Sequence, residues 1–265
     1  RREYGLMQGA VQINILQFSL VYLLLIIVLV IMKKSRINQS KFLIVASLRM
    51  TVQLVLAGLI LTYIFKNPHP AFVVLYLIAM TAFSIKRVLN KNKDLNPKFK
   101  VVVSISLAFS GILILSYFVL VVIGKSIFNP QYTIPLAGMI IGNSMTGVTL
   151  ALKNFQDNIR SQRTKIEALL NLGATPKKIL LPYVNNAIET ALLPTMNSMV
   201  GMGIVSLPGM MTGQILSGTL PTTAILYQIA IMIAICTAVC LTSFCALHFG
   251  YKTLYNSRNQ IYRIQ

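Results

Sequence analysis

The stretch IEALLNLGATPKKILLP, residues 166–182, is polar, carries Glu167, Lys177 and Lys178, is interrupted at Gly173-Ala174 and holds Pro176 and Pro182. Long runs of Leu, Ile, Val and Phe lie on both sides of it. A soluble-looking helix between two apolar runs reads as a segment held outside a membrane by spans on either side. The rest of the chain is read outward from that point.

Of the 265 residues, 55% are hydrophobic and only 11% are charged. A soluble domain has no means of hiding that share of apolar surface, so the chain is expected to be an integral, multi-pass protein of the cell membrane, with lipid around it. The formal charge of +19 would point to nucleic acid in a soluble protein. Here topology accounts for it, because basic residues collect in cytoplasmic loops, and no nucleic-acid partner is expected.

A span needs about 20 mainly apolar residues. Seven runs qualify: Ile13–Met32, Phe42–Phe65, Ala71–Leu89, Val101–Gly124, Ile134–Leu152, Ala191–Met211 and Thr222–Phe249. The first is too long for a signal-peptide core and has no cleavage-type pattern after it. Between the runs the basic residues alternate. Loop one has Lys33, Lys34, Arg36 and Lys41, loop two only Lys66, and loop three Lys86, Arg87, Lys91, Lys93, Lys98 and Lys100. Loop four has only Lys125, loop five has Lys153, Arg160, Arg163, Lys165, Lys177 and Lys178, loop six has none, and the tail has Lys252, Arg258 and Arg263. Only Arg1 and Arg2 dissent. The expected fold is an all-α polytopic membrane protein, one transmembrane domain over residues 1–265, with seven transmembrane helices, the N-terminus outside and the C-terminus inside.

Enzyme chemistry within this chain is not expected. There is no Gly-rich phosphate loop, no HExxH and no Ser-His-Asp spread, and the acidic residues are Glu3, Asp94, Asp157, Glu167 and Glu189 alone. Cys236, Cys240 and Cys245 fall in the last apolar run, with His248 three residues beyond. They read as small packing residues of a lipid-buried helix, with a thiolate metal site as the alternative.

Loop five, from Lys153 to about Thr190, is too long for a simple connection. Between Asp157 and Leu172, Ile159, Ile166, Leu169, Leu170 and Gly173 share one helical face, with Arg160, Thr164, Glu167 and Asn171 on another. This predicts an amphipathic helix, ended by Gly173 in a left-handed cap. Thr175 as N-cap and Pro176 in the first turn restart a helix, which Pro182 is expected to break or kink. Two readings stand: an interfacial helix that anchors the loop, and a docking helix that enters a partner's groove.

Glu167-Ala168 with Gly173 six residues after the Glu, and Leu181-Pro182 beyond, resembles the coupling-loop motif of ABC-transporter permeases, with Leu169 where that motif has a second Ala. Four stretches are similar to the FetB family: IPLAGMIIGNSMTG (134–147), LGATPKK (172–178), LLPTMNSMVGMGIVSLPGMMTGQILSG (192–218) and YNSRNQ (255–260). The resemblance extends over nearly the whole chain, and these stretches carry it most specifically. Glu189 departs from the Arg expected there in relatives. Members of that family are iron-export permeases that work with an ATPase, FetA, and plant relatives are linked to aluminium tolerance. The resemblance implies a membrane permease subunit of an ABC exporter for iron or another metal. It implies no cofactor in this chain, ATP and Mg on the partner ATPase, and two permease copies with two ATPases. The ATPase-coupling residues would be Arg160, Arg163, Ile166, Glu167, Leu170, Gly173 and Ala174.

The translocation route is expected along spans five and six. Span six holds Pro194, Gly201, Gly203, Pro208 and Gly209 among polar residues, and broken helices survive in membranes only where protein or a water-filled cavity satisfies the backbone. Span five carries Gly138, Gly142 and Gly147, which also suit plain close packing. Candidate route residues are Asn143, Met145, Asn197, Met199, Pro208, Gly209, Met210 and Gln214, with Arg49 and Gln53 one turn apart on span two. No dedicated metal-ligand set emerges. The methionines suit soft ions but also fill gaps in packing. A non-metal cargo, such as a nucleotide sugar or organic anion, fits the same scaffold. So does a mechanotransmitting subunit, although the short outer loops argue against it. A secondary transporter would need intramembrane carboxylates that the spans lack.

Overall fold

The structure, a computed structural model, describes residues 14–256. The first residue of the first expected span (Ile13), Arg1, Arg2, Arg258, Arg263 and the end of the YNSRNQ stretch lie outside the described residues. The protein is a multi-pass membrane protein, helical throughout, with no strand among the described residues. Its helices are α1 (Ile15–Lys34), α2 (Ser40–Lys66), α3 (Pro70–Lys91), α4 (Pro97–Tyr117), α5 (Pro130–Ser161), α6 (Arg163–Asn171), α7 (Pro176–Gly201), α8 (Gly209–Leu216) and α9 (Pro221–Gly250). A π turn, Phe118–Val122, extends α4, and a 3-10 turn, Tyr251–Leu254, follows α9.

Five of these start on proline, whose fixed φ suits a first helical position and whose missing N–H costs nothing there. Two are Asn-Pro starts. Asn96 Oδ1 accepts from Phe99 N at 2.6 Å, and Asn129 Oδ1 accepts from Gln131 N at 3.1 Å, each satisfying an orphan donor of the first turn.

The described residues divide into two compact units, 14–68 with 213–220, and 69–212 with 221–256. In the smaller unit α1 packs on α2, and the Tyr22 and Thr51 hydroxyls share a 2.5 Å hydrogen bond. In the larger unit α5 is central, packed on α3, α4, α7 and α9, while α4 and α9 lie against each other along their lengths. Phe99, Leu107, Ile140, Leu152, Phe155, Leu180, Leu247 and Tyr251 are fully buried in its core. Lipid tails are as apolar as leucine, so these helices are held by close fit and not by exclusion from water. Glycine provides that fit. A Cβ on Gly147 would come within 2.6 Å of Val239 Cγ1, and one on Gly250 would fall inside the Phe99 ring, 1.7 Å from its nearest atom. Gly138 lies against Met80, while Gly142 faces open space.

Among the described residues five helices are long and apolar enough to cross a membrane: α2, α3, α4 with its π turn, α5, and α9 with its 3-10 turn. The other two expected spans correspond to α1 and to the region of α7 and α8. The expected boundaries in loop five change. The amphipathic helix predicted over 157–172 is two helices, because α5 runs on to Ser161 and α6 starts after Gln162. Phe155 and Ile159 keep an apolar face buried, so α5 has no reason to stop at the end of the apolar run. Pro182 does not break α7, which contains both Pro182 and Pro194. A helix-interior proline forfeits one backbone bond, and packing of α7 on α5 and α9 outweighs that loss. The interruption lies further on. From Met202 to Pro208 the chain is not helical, Gly203 has φ +83°, and Val205 N donates back to Gly201 O at 2.9 Å.

Candidate functional site

Two regions hold the residues singled out by sequence. The first is the tip formed by α6 and the turn into α7. Its turn is a Schellman motif. Gly173, at φ +84°, donates to Leu170 O at 3.0 Å, and Ala174 N donates to Leu169 O at 3.0 Å. Pro176 then occupies the first position of α7, as the sequence predicts. Thr175 precedes it in extended conformation but its side chain makes no capping bond.

The tip shows what the amphipathic face packs against. Ile166 is only 5% exposed, and Leu169, Leu170 and Ala174 pack partly buried against the core of the larger unit. The apolar face of α6 is therefore spent on the protein itself. A helix that lies on lipid needs that face free. Its polar face points outward, with Thr164, Lys165, Glu167, Ala168 and Asn171 exposed. Of the residues expected to touch an ATPase, Ile166 is a core residue, and Leu170 and Ala174 are half-buried. Arg160 pairs with Asp94, and Arg163 Nε donates to Glu167 Oε1 at 2.8 Å within α6. Sequence reasoning passed over two side chains of this tip. Asp94 is the one acid in a lysine-rich connection, which was a legible signal. Leu172 is 83% exposed at the helix end, which helical periodicity does not reveal because the helix has already stopped.

The second region is the outward face of α5 and α7. Asn143 and Thr146 are exposed on α5, and Asn143 Nδ2 returns to Met139 O at 2.8 Å. Met145, by contrast, packs against the core. On α7, Asn197 and Met199 are exposed. At the basic end of the seam Asn158 Nδ2 donates to Asn154 Oδ1 at 2.8 Å and to Asn186 Oδ1 at 3.3 Å, with Glu189 exposed one turn beyond Asn186. Polar side chains facing out of a membrane-crossing helix call for water or protein opposite them, since hydrocarbon offers no partner. Beyond the interruption Pro208 and Met210 are half-buried and Gly209 is exposed. Arg49 and Gln53, both exposed on α2, and half-buried Gln214 belong to the smaller unit.

Among the described residues no three His, Cys, Asp or Glu side chains come together to hold a metal ion. The three cysteines are free. His248, the one candidate to join them, stacks on Phe244 with ring centroids 4.9 Å apart.

Residues 15–255 match an uncharacterised protein family, UPF0014. The chain is 30% identical to the UPF0014 membrane protein YjkA of Bacillus subtilis, over 93% of this chain and 97% of that one. It is 32% identical to the probable iron export permease protein FetB of Escherichia coli, over 92% of this chain and 93% of FetB. It is 31% identical to the protein ALUMINUM SENSITIVE 3 of Arabidopsis thaliana, over 80% and 77% of the two chains. No solved structure matches. With the match running across nearly all of its helices, the chain belongs to the UPF0014 family of membrane proteins, the family of FetB.

Proposed function

We propose that this chain is the permease subunit of an ATP-driven exporter whose cargo is iron or another metal ion. ATP would be bound and hydrolysed on a separate cytoplasmic ATPase resembling FetA, and this chain would have no catalytic role and no cofactor of its own. The observation that carries the reading is the orientation of α6. Its apolar face is turned into the core and its polar face outward, as a docking helix requires and a lipid anchor does not. Similarity to FetB supports metal export.

In this reading the chain is one permease domain of seven spans with the basic connections inside. α6 is the coupling helix between spans five and six. One such helix per chain calls for two copies, because the ATPases act as a dimer. α5 is 32 residues long, about 48 Å at 1.5 Å per residue, against a hydrocarbon core of about 30 Å. The helix therefore carries α6 clear of the membrane. Ile166 is packed into the same core as α5 and α7, so closure of the ATPases displaces the spans as packed bodies and not the tip alone. The outward polar face of α5 and α7 would line the route between copies.

The test is transport in membrane vesicles holding this chain and its ATPase. ATP-dependent movement of Fe(II) out of the ATPase-side compartment is expected, abolished by an ATPase variant that cannot hydrolyse ATP. ATP-dependent transport of a non-metal solute, with no metal moved, would transfer the scaffold to another cargo.

A further inference from the structure

The tip of α6 bears one apolar side chain that stands out into solvent. Leu172 is 83% exposed, whereas Ile166 on the same short helix is 5% exposed. A single exposed leucine is ordinary on a soluble surface. This one is held in place. It sits between the last helical residue and a left-handed glycine in a turn closed by two backbone bonds, and a helix is fixed on each side. Its surroundings are basic. Lys165, Lys177 and Lys178 are exposed and take part in none of the ion pairs described above, while the one carboxylate on α6, Glu167, is already engaged by Arg163.

Resting on the reading of α6 as the ATPase-facing helix, we infer that Leu172 is the apolar anchor of that contact and seats in an apolar pocket of the ATPase rimmed by carboxylates. An apolar knob filling a desolvated pocket within a charged rim is the arrangement in which one residue carries much of an interface, and the exposed lysines on either side of Leu172 in the chain supply steering toward an acidic partner. Anionic lipid has the same charge but is poorly placed. From Lys153 to Ser161, α5 extends about 13 Å beyond its apolar run, and the large apolar side chains of α6, Ile166, Leu169 and Leu170, pack against the core, so no lipid-facing stripe accompanies Leu172.

The experiment measures binding of the purified FetA-type ATPase of the same organism to the full-length permease in nanodiscs. These are made of phosphatidylcholine alone or with phosphatidylglycerol. Leu172→Ser should weaken binding at least about tenfold, and Leu172→Met should restore most of it. Lys177→Glu with Lys178→Glu should slow association and reduce its salt dependence. Thermal stability of the free permease should stay unchanged in all three, since none of these side chains is buried. Wild-type affinity in Leu172→Ser with weakened binding in Glu167→Lys would overturn the anchor and leave the docking helix standing. Wild-type affinity in every tip variant would overturn both. Affinity that follows phosphatidylglycerol content and ignores Leu172→Ser would assign the tip to lipid and also overturn the anchor.

Discussion

Arg160 Nη2 donates to Asp94 Oδ2 at 2.5 Å, joining the last turn of α5 to the turn between α3 and α4 across 66 positions of chain. Both side chains are about half exposed, so the pair is worth about 0.2–1 kcal/mol and is weakened by salt. Asp94→Asn should therefore lower stability by less than about 1 kcal/mol in thermal unfolding. If Arg160 also meets the ATPase, Arg160→Ala should reduce co-purification while Asp94→Asn does not. Equal loss in both would make the pair, and not the arginine, the functional unit.

Gly173 has open space around its missing Cβ, so substitution there meets no clash and reports conformation alone. Its φ of +84° is tolerated by Asn better than by Ala, and worst by a β-branched residue. Transport-coupled ATP hydrolysis should fall in the order Gly, Asn, Ala, Val, with a strain of about 1–2 kcal/mol for Ala. Gly173→Val should keep some ATPase binding, because Ile166 still docks α6. Unchanged coupling across the series would mean that the direction of the turn is immaterial.

Gly250 is the opposite case. A methyl group there overlaps the buried Phe99 ring, and a ring edge-on to Phe155 has nowhere to retreat. Gly250→Ala should cost about 1–3 kcal/mol or more as overpacking. Phe99→Leu in the same chain should recover part of that loss, which a double-mutant cycle on detergent-solubilised protein can read. Additive effects would contradict the contact.

At the interruption after α7, Gly209 is exposed, and a Cβ added to it would meet no atom within 4 Å. Gly209→Leu should leave the protein folded in the membrane. Together with Pro208→Leu it should still stop transport if the interruption borders the route, since bulk there obstructs motion. Normal transport by both variants would reduce the segment to packing.

Orientation can be read by thiol labelling with Cys236, Cys240 and Cys245 replaced by alanine. Lys93→Cys and Arg160→Cys should be shielded from an impermeant reagent in intact cells, and Thr219→Cys should react. The basic-residue alternation motivates this expectation. Labelling of Lys93→Cys from outside would overturn the orientation.

The features legible in the sequence were those set by neighbours along the chain. Apolar runs became helices, Pro176 became the first residue of α7, and Gly173 took the left-handed turn. Each rests on local backbone sterics or on capping within a few residues. Membership of a membrane family was equally accessible, because composition and the SLPGMMTGQILSG run are properties of the chain itself. The tertiary structure decided which faces are spent. Whether Ile166 is a docking residue or a core residue, whether Arg160 is free or paired, whether Pro182 stops a helix, and why Gly147 is tight while Gly142 is open all depend on what stands opposite. Helical periodicity says that residues share a face. Only the packed neighbours say whether that face is covered, and at Leu172 the lack of cover turned an unremarked leucine into the most exposed apolar side chain of α6 and its C-terminal turn.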